Sequence, residues 1–431
     1  MPYNRHGVGN QCCDPSGPTE TASQRLEEYT LSNRAESMRG EVAIVGVADA
    51  VSPTGQLDGS LRELEVQVIC EALDDAGLTM QDVDGLACCT GAMMMPSVEL
   101  AEYLGIRPKW TDSTQAGGSS FEIHLEHAAS AIAHGICDVA VVVYAQTPKS
   151  TFKRGGARFL SGGPSAGVDL DAAPRVEWEI PYGIQLPIGA YALAANRHMA
   201  MYGTTSEQLA QIAVSTREWA TRNERANLRD PITIDDVLAS PMNASPLHKL
   251  DCCLVTDGAG AVVLTSAARA RDLSRPPVYV LGAGTSHTHS MISQMTDLTV
   301  TAGLESGKQA FSMAELTPAD VDVAQLYDSF TITVLLALED LGFCKKGEGG
   351  AFVEDGRLGP GGTFPAQTTG GGLAYTHPGM FGIFLLVEAA RQLRGDCGER
   401  QVPDANVAIA HGTGGVLAVT STVVLGTEAT L

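Results

Sequence analysis

Positive charge is scarce in this sequence: its 431 residues include 28 Lys and Arg against 50 Asp and Glu, and the formal net charge is −22. Binding to nucleic-acid phosphates depends on clustered Lys and Arg, so this composition argues against a nucleic-acid partner. Long apolar runs are also missing, because none reaches the roughly 18–20 residues that span a bilayer. The N-terminal sequence has no apolar signal-peptide core, and a cytoplasmic location is therefore expected.

Metal-binding cysteine patterns are absent as well. The ten cysteines include adjacent pairs at 88–89 and 252–253, but the sequence contains no C-x-x-C motif and no Cys/His cluster with zinc spacing. Ten cysteines in so long a chain do not make a disulfide scaffold. We therefore expect buried free thiols and no metal site, and we expect Cys252 and Cys253 to be core thiols of a buried strand.

The sequence does contain enough apolar residues for a large core. Its hydrophobic content is 44%, and 47 glycines indicate many tight turns. Short apolar runs at residues 42–48 and 139–144 predict buried strands. Apolar spacing predicts helices at 61–76 and 121–134, and Gly77 is well placed to end the first of them. This alternation of strands and helices indicates the α/β class.

One phrase occurs twice along the chain. Residues 76–84 read AGLTMQDVD, and residues 314–322 read AELTPADVD. In each half an apolar run precedes the phrase, at 42–48 and at 278–284. The same phrase after a similar apolar run in two βαβ-rich halves predicts an internal duplication.

The duplication suggests how the chain divides. We predict an extension at residues 1–40, a first domain at 41–270 and a second domain at 271–431. A region at about 147–200, rich in Gly, Pro and Ser up to residue 188, is predicted to be a long loop region within the first domain. Such loops often carry substrate contacts.

Several longer motifs support a more specific interpretation. Residues 370–379 read GGGLAYTHPG, and characteristic phrases also occur at 202–213, 236–242 and 246–258. Together they resemble the thiolase superfamily, in the branch of the sterol-carrier-protein thiolases and their bacterial lipid-transfer relatives, over residues 41–431. The resemblance implies a thiolase fold, in which two duplicated βαβαβ-type halves form a five-layered αβαβα architecture with a loop domain.

The same resemblance shows that the catalytic thiols are missing. The nucleophilic Cys of the family lies at a strand-to-helix turn, three residues before a glycine; here residues 114–120 form that turn and Gln115 stands at the Cys position. A glutamine cannot form an acyl-enzyme thioester. The second catalytic Cys corresponds to the turn at 411–415, with His411 at or next to its position. A working thiolase is therefore not expected.

Ionisable residues stand where the family has other side chains. Tyr327 replaces the asparagine of the Asn-Glu-Ala-Phe segment and is followed by Asp328. The Gly-His-Pro loop keeps His377, and Tyr375 precedes it by two residues. This pattern resembles the thiolase-like aldolases that cleave steroid side chains. The resemblance implies a retro-aldol cleavage of a tertiary β-hydroxyacyl-CoA into a ketone and a shorter acyl-CoA, without a covalent intermediate.

This chemistry assigns roles to the candidate residues. We expect Tyr327 or Tyr375 to remove the proton of the β-hydroxyl and the other tyrosine to protonate the enolate, in either order. A tyrosine needs a cationic or hydrogen-bonding neighbour to act as a base near neutrality, and His377 or His411 would provide it. His377 would also hydrogen-bond the thioester oxygen, and Asp328 would orient or tune a neighbour.

Four further positions are expected to contact the substrate. Backbone N–H groups of the 412–415 turn would stabilise the enolate oxygen, and Gln115 would contact the acyl group or fill space. The glycines assigned to this backbone contact are Gly412, Gly414 and Gly415.

Two alternatives stay open at the level of sequence. Loss of both cysteines is equally expected in a non-catalytic acyl-CoA or lipid-binding homologue, and an acyltransferase resembling acetyl-CoA acetyltransferase could use another nucleophile. The resemblance implies a CoA thioester as substrate, no permanently bound cofactor, and a homodimer formed through the first-half strands. It also implies an accessory protein with a zinc ribbon and an OB-fold that helps to bind the CoA substrate.

Overall fold

The structure of the protein is a computed structural model that describes residues 38–90, 94–153 and 177–431. Nine of its described strands form one mixed sheet, and two short strands, β5 and β6, pair separately. The strands are β1 Val42–Ala50, β2 Gly85–Cys88, β3 Trp110–Asp112, β4 Val139–Gln146, β5 Met242–Ala244, β6 Leu247–His248, β7 Gly258–Ser266, β8 Val278–His287, β9 Val323–Leu326, β10 Val407–Gly414 and β11 Val419–Gly426.

Helices alternate with these strands along the chain, as the α/β prediction requires. Several are only one or two turns long and connect larger elements. The described α-helices are α1 Leu61–Ala76, α2 Pro96–Leu104, α3 Ser120–Ala133, α4 Pro148–Lys153, α5 Pro187–Tyr202, α6 Ser206–Thr221, α7 Ile234–Ala239, α8 Ala267–Ala270, α9 Gly303–Ala314, α10 Thr331–Asp340, α11 Gly349–Phe352 and α12 Gly382–Arg394.

The strand order repeats on either side of the sheet centre. From the centre outward the first half reads β1, β7, β4, β2, β3, and the second half reads β8, β11, β10, β9. In both halves the two central pairs are antiparallel and the next pair is parallel. This is the topology of two similar βαβ-rich halves. Residues 38–431 nevertheless form one compact unit, and the predicted boundary at residue 270 stays a prediction.

The repeated phrase of the sequence performs the same structural task in each half. Asp84 accepts hydrogen bonds from the backbone N–H groups of Asp138 and Val139, both at 2.8 Å, where β4 begins. Asp322 accepts from the N–H group of Val407, at 2.9 Å, where β10 begins. Each aspartate thus fixes the first residues of a neighbouring strand.

The helices cover both faces of the sheet. Helices α3 and α12 pack against each other and against strands of both halves, whereas α1 and α9 pack on the opposite face. Because side chains alternate along a strand, Val42 and Ile44 of β1 join the apolar cluster around α3 and α12, and Ala43 and Val45 join the cluster around α1. We call α3 and α12 the inner helices and α1 and α9 the outer helices. Together with the two halves of the sheet they make up the predicted five layers.

Local sequence signals agree with several element boundaries. Helix α1 spans the predicted residues, because Ser60 and Glu63 form a capping box at its start and Gly77 ends it with a φ of 70°. The predicted loop region is only partly loop, because α4 lies within it; residues 154–176 lie outside the described residues, as do 1–37 of the predicted extension. No described helix is long and apolar enough to cross a membrane.

A buried acid lies between the inner helices and β10. The side chain of Glu122, on α3, is 0% exposed, and neither carboxyl oxygen has a hydrogen-bond partner among the described residues. A Cβ atom at Gly412 or Gly382 would lie 2.3 or 2.5 Å from Oε2, so only glycine fits at these positions. Burial raises the pKa of Glu122 to about 8. The carboxyl is therefore mostly protonated at neutral pH.

We expect Asp84→Ala to lower the free energy of unfolding by about 1–3 kcal/mol, because two backbone N–H groups at the start of β4 lose their charged acceptor. Urea unfolding followed by circular dichroism measures this change. Asp58→Ala, at a solvent-exposed aspartate, is the matched control and should have little effect. Equal midpoints for the two variants would show that Asp84 does not fix β4.

Glu122→Gln should become more stable than the wild type as the pH rises. The folded-state pKa of about 8 lies above the ordinary value of 4.5, so the stability contributed by this group is complete below about pH 4.5 and is lost as the pH rises through about 8. The slope approaches ~1.4 kcal/mol per pH unit in that window. Melting temperatures of both proteins from pH 5 to pH 9 test this, and parallel curves would contradict it.

Candidate active site

A cavity of about 460 Å³ lies where segments of the two halves meet. Apolar side chains form most of its wall, and none of its described lining residues is Asp, Glu, Lys or Arg. Its lining residues are Gly117, Gly118, Pro148, Leu186, Pro187, Ile188, Tyr191, Cys252, Cys253, Leu254, Val255, Tyr327, Ser329, Phe330, His377, Gly379, Met380, Thr413, Gly414 and Gly415.

Two predicted site residues meet in this cavity. The hydroxyl of Tyr327, which directly follows β9, lies 3.0 Å from Nε2 of His377. Their rings pack edge to face with centroids 5.7 Å apart, and Phe381 packs against both rings. The backbone N–H group of His377 donates to the Thr256 hydroxyl at 2.8 Å. Contacts with Phe381 and Thr256 therefore hold the pair in place.

Burial fixes the protonation state of this pair. It lowers the pKa of His377 to about 4 and raises the pKa of Tyr327 well above its ordinary value. At neutral pH a neutral imidazole thus faces a neutral phenol. Nε2 of His377 can accept the proton of the phenol when the imidazole carries its own proton on Nδ1. This arrangement can accept a proton through the tyrosine without a charged residue in the cavity.

The turn before α3 supplies backbone and no nucleophile. A Cβ atom at Gly118 would lie 2.2 Å from Cε2 of Tyr327, so glycine is required there. Gly117 has a φ of 64°, which also favours glycine. Gln115, the residue at the family's cysteine position, is exposed and does not line the cavity. The expected role of Gln115 beside the acyl group therefore stays a prediction.

Asp328 lies behind the cavity and holds the glycine-rich turn. Its fully buried carboxylate accepts hydrogen bonds from the backbone N–H groups of Gly372, at 2.6 Å, and Leu373, at 3.1 Å. Burial raises the pKa of Asp328 to about 7 even though these hydrogen bonds favour ionisation. The contacts link the end of β9 to the segment that carries His377.

Tyr375 is not brought to the cavity. Its buried hydroxyl donates to Asp49, whose carboxylate forms ion pairs with Arg225 at 2.9 Å and Arg391 at 2.6 Å. Burial and the Asp49 charge raise the pKa of Tyr375 well above its ordinary value. The structure therefore does not place this tyrosine where the predicted proton transfer to or from the substrate requires it.

The end of β10 and the residue after it contain the remaining predicted residues, and these do not all reach the cavity. Gly414 and Gly415 line the cavity, whereas Gly412 packs against Glu122. Nδ1 of His411 lies 2.8 Å from the hydroxyl of Thr422, and the ring does not line the cavity. Burial lowers the pKa of His411 to about 4. His411 is therefore a neutral residue of the β10–β11 pair.

The expectation that Cys252 and Cys253 are core thiols of a strand is wrong. Both side chains are partly exposed, they lie in a connecting segment, and both line the cavity. A hydrogen bond from the Cys253 N–H group to the Ser329 carbonyl, at 3.0 Å, fixes this segment beside β9. Burial raises the pKa of Cys253 above the ordinary range and that of Cys252 to about 11.

Sequence reasoning also missed Tyr191 and Ser329. Tyr191 is on α5 and Ser329 follows Asp328, and both line the cavity. Ser329 stands two residues after Tyr327, a spacing that could have indicated its place; nothing in the sequence around Tyr191 indicates a site. Within the described ranges no cluster of three or more His, Cys, Asp or Glu side chains could hold a metal ion.

Comparison with known proteins places the chain in a family. Residues 284–427 match the family model described as thiolase C-terminal domain-like. The chain is 37% identical to the 17-hydroxy-3-oxo-4-pregnene-20-carboxyl-CoA lyase of Mycobacterium tuberculosis, over 88% of this chain and 97% of the relative. It is 35% identical to an acetyl-CoA acetyltransferase of Methanothermobacter thermautotrophicus, over 88% of this chain and 98% of the relative.

A solved structure agrees with these relatives. The Ltp2-ChsH2(DUF35) aldolase superposes with a TM-score of 0.80 at 32% sequence identity, covering 92% of this chain and 100% of that chain. The predicted fold and family are confirmed, and the chain belongs to the thiolase superfamily, in the branch that also contains the sterol-carrier-protein thiolases and the steroid side-chain-cleaving aldolases.

Proposed function

We propose that this protein is a thiolase-like aldolase that cleaves a β-hydroxyacyl-CoA into a ketone and a shorter acyl-CoA. The observation that carries this proposal is the neutral Tyr327–His377 pair in a cavity whose described lining residues include no Asp, Glu, Lys or Arg. Relatives named as a CoA lyase and an aldolase support the same reaction class. The CoA thioester is the substrate in this proposal, and no permanently bound cofactor takes part.

The pair performs the first proton transfer. As the β-hydroxyl of the substrate gives its proton to the oxygen of Tyr327, the phenol passes its own proton to Nε2 of His377. The C–O bond becomes a carbonyl, the bond between the α- and β-carbons breaks, and its electron pair forms the thioester enolate. The α-carbon then takes up one proton, so the two products together contain all atoms of the substrate.

The enolate oxygen needs hydrogen-bond donors that are already in place. Gly414, the last residue of β10, and Gly415 line the cavity and present backbone to the same space as Tyr327. We assign their N–H groups to the thioester oxygen, because preorganised donors stabilise developing charge without reorganisation. His377 is used as proton acceptor in this scheme and no longer as the predicted donor to the thioester oxygen.

The cavity wall supports a bulky, uncharged acyl group. Leu186, Ile188 and Val255 belong to it, and Leu186 and Val255 are also exposed to solvent at its mouth. Burying apolar surface contributes about 25 cal/mol per Å². A steroid or another bulky lipid side chain fits this lining better than a charged acyl group.

Tyr375 and Asp328 act as positioning residues in this proposal. Both belong to the contacts that hold residues 370–377: Asp328 through backbone N–H groups and Tyr375 through Asp49. His411 has no contact with the cavity, and we assign it no step in the reaction.

Acyl transfer is the second candidate, because an acetyl-CoA acetyltransferase is among the relatives and two thiols line the cavity. Nucleophilic cysteines require the thiolate, and burial opposes its formation at Cys253. A protein that only binds acyl-CoA would not need the Tyr327–His377 hydrogen bond. Cleavage assays separate these three possibilities by their products.

We also propose that the protein works within an assembly. The Ltp2-ChsH2(DUF35) aldolase is named for two components, which supports a heteromeric partner, and we propose for it the zinc-ribbon and OB-fold architecture predicted above. A homodimer would form through β3, the outermost first-half strand in the described sheet. Both assemblies and the cytoplasmic location remain predictions.

Tyr327→Phe should reduce kcat for cleavage of a tertiary β-hydroxyacyl-CoA by about 100-fold or more, because the hydroxyl that relays the proton is lost. Mass spectrometry detects the ketone and the shorter acyl-CoA, with the protein assayed alone and with its co-expressed partner. Tyr182→Phe, at a tyrosine that is 79% exposed, is the control. Unchanged cleavage by Tyr327→Phe would sink the proposal, and transfer of an acyl group without cleavage would favour the acyltransferase.

The pH dependence of kcat/KM should show an acid limb near pH 4. His377 accepts the proton only when it is neutral, and its pKa is lowered from 6.5 to about 4, so lowering the pH inactivates the enzyme only as it approaches that value. Circular dichroism at each pH separates loss of activity from unfolding. An acid limb at about pH 6.5 in a folded protein would exclude the buried, neutral His377.

A further inference from the structure

The cavity contains a second tyrosine that the proposed proton transfer does not yet use. Tyr191 lines the cavity and is only 3% exposed, and its ring packs on Phe330 with centroids 4.5 Å apart. Its hydroxyl lies beside the side chain of Ser329, another lining residue, and the backbone of Leu417. Tyr191 and Tyr327 thus belong to the wall of the same cavity.

We infer that Tyr191 is the catalytic acid that protonates the α-carbon of the enolate, with Ser329 as its positioning residue. The inference rests on the proposed aldolase function and completes it. It transfers to Tyr191 the role expected for the second tyrosine, because Tyr375 is held by Asp49 outside the cavity.

The proton balance explains why a separate donor is useful. After the first step His377 holds one extra proton and Tyr327 keeps a hydroxyl proton that came from the substrate. Tyr191 then gives its own proton to the α-carbon, and its oxygen becomes a phenolate. The extra proton on His377 returns to that phenolate before the next turnover, so the reaction consumes no external acid.

The chemistry of the lining residues favours Tyr191 over its neighbours. Burial raises the pKa of Tyr191 to about 12, so it keeps its proton over the whole working range and is available as a donor. An alcohol such as Ser329 is a much weaker acid than a phenol, and it serves as the positioning residue. Tyr327 already forms the hydrogen bond with His377, at 3.0 Å.

Hydrogen exchange at the α-carbon tests this role apart from cleavage. By microscopic reversibility the group that protonates the enolate also removes an α-proton from the product, so the wild type should incorporate deuterium into acetyl-CoA or propionyl-CoA in D2O. Tyr191→Phe should lose this exchange, whereas Tyr327→Phe should retain it, because Tyr327 acts on the hydroxyl. Mass spectrometry of the recovered acyl-CoA measures both.

Cleavage kinetics give the second readout. Tyr191→Phe should lower kcat by about 100-fold with KM changed less than about twofold, because the ring and its packing on Phe330 remain. Ser329→Ala should give a smaller loss of kcat, and Tyr182→Phe should match the wild type. A melting temperature close to that of the wild type shows that each variant is folded.

The outcomes separate the two proposals. If the wild type cleaves the substrate and Tyr191→Phe cleaves and exchanges equally well, Tyr191 is not the acid and the aldolase proposal stands. If the wild type neither cleaves nor exchanges, with its partner present, both proposals fail. Loss of cleavage and exchange together in Tyr327→Phe would also overturn the division of roles between the tyrosines.

Discussion

The close backbone contact between the turn before α3 and the end of β10 is the constraint on which the site depends. A Cβ atom at Gly414 would lie 1.6 Å from the carbonyl oxygen of Ala116, and one at Gly118 would overlap the ring of Tyr327. Glycine is therefore required on both sides of this contact. It brings one segment from each half to the same cavity, beside the contact between helices α3 and α12.

The electrostatic character of the site follows from this packing. Burial penalises charge, so Tyr327 and His377 are neutral, and the ion pairs of Asp49 with Arg225 and Arg391 lie outside the cavity. Neutral donors and acceptors can still exchange protons over a 3.0 Å hydrogen bond. Such a site suits a reaction in which a proton moves from substrate oxygen to substrate carbon with no net charge entering or leaving.

Much of the fold was predictable from the sequence, because its signals are local. Gly77 and the Ser60–Glu63 box define α1 within the chain segment itself. The site was less predictable, because the direction in which a side chain points depends on how the strands and helices pack in the folded protein. His411 and Gly412 are neighbours on β10, yet alternation sends one side chain toward Thr422 and the other position toward Glu122. A motif match uncertain by one residue cannot decide which way either of them faces.

Tyr375 and Tyr191 also show that a sequence motif does not decide which residues reach the cavity. Tyr375 belongs to a recognisable motif, but a buried ion cluster formed by residues far apart in sequence holds it away from the substrate. Tyr191 belongs to no motif, and its place in the cavity follows from the packing of α5 against α10 and of its ring on Phe330. Cysteine thiols also remain in the cavity, but burial holds Cys253 as a thiol, which cannot attack a thioester. Burial thus disfavours covalent catalysis here, and the same burial keeps the phenols of Tyr191 and Tyr327 protonated, as proton donors must be.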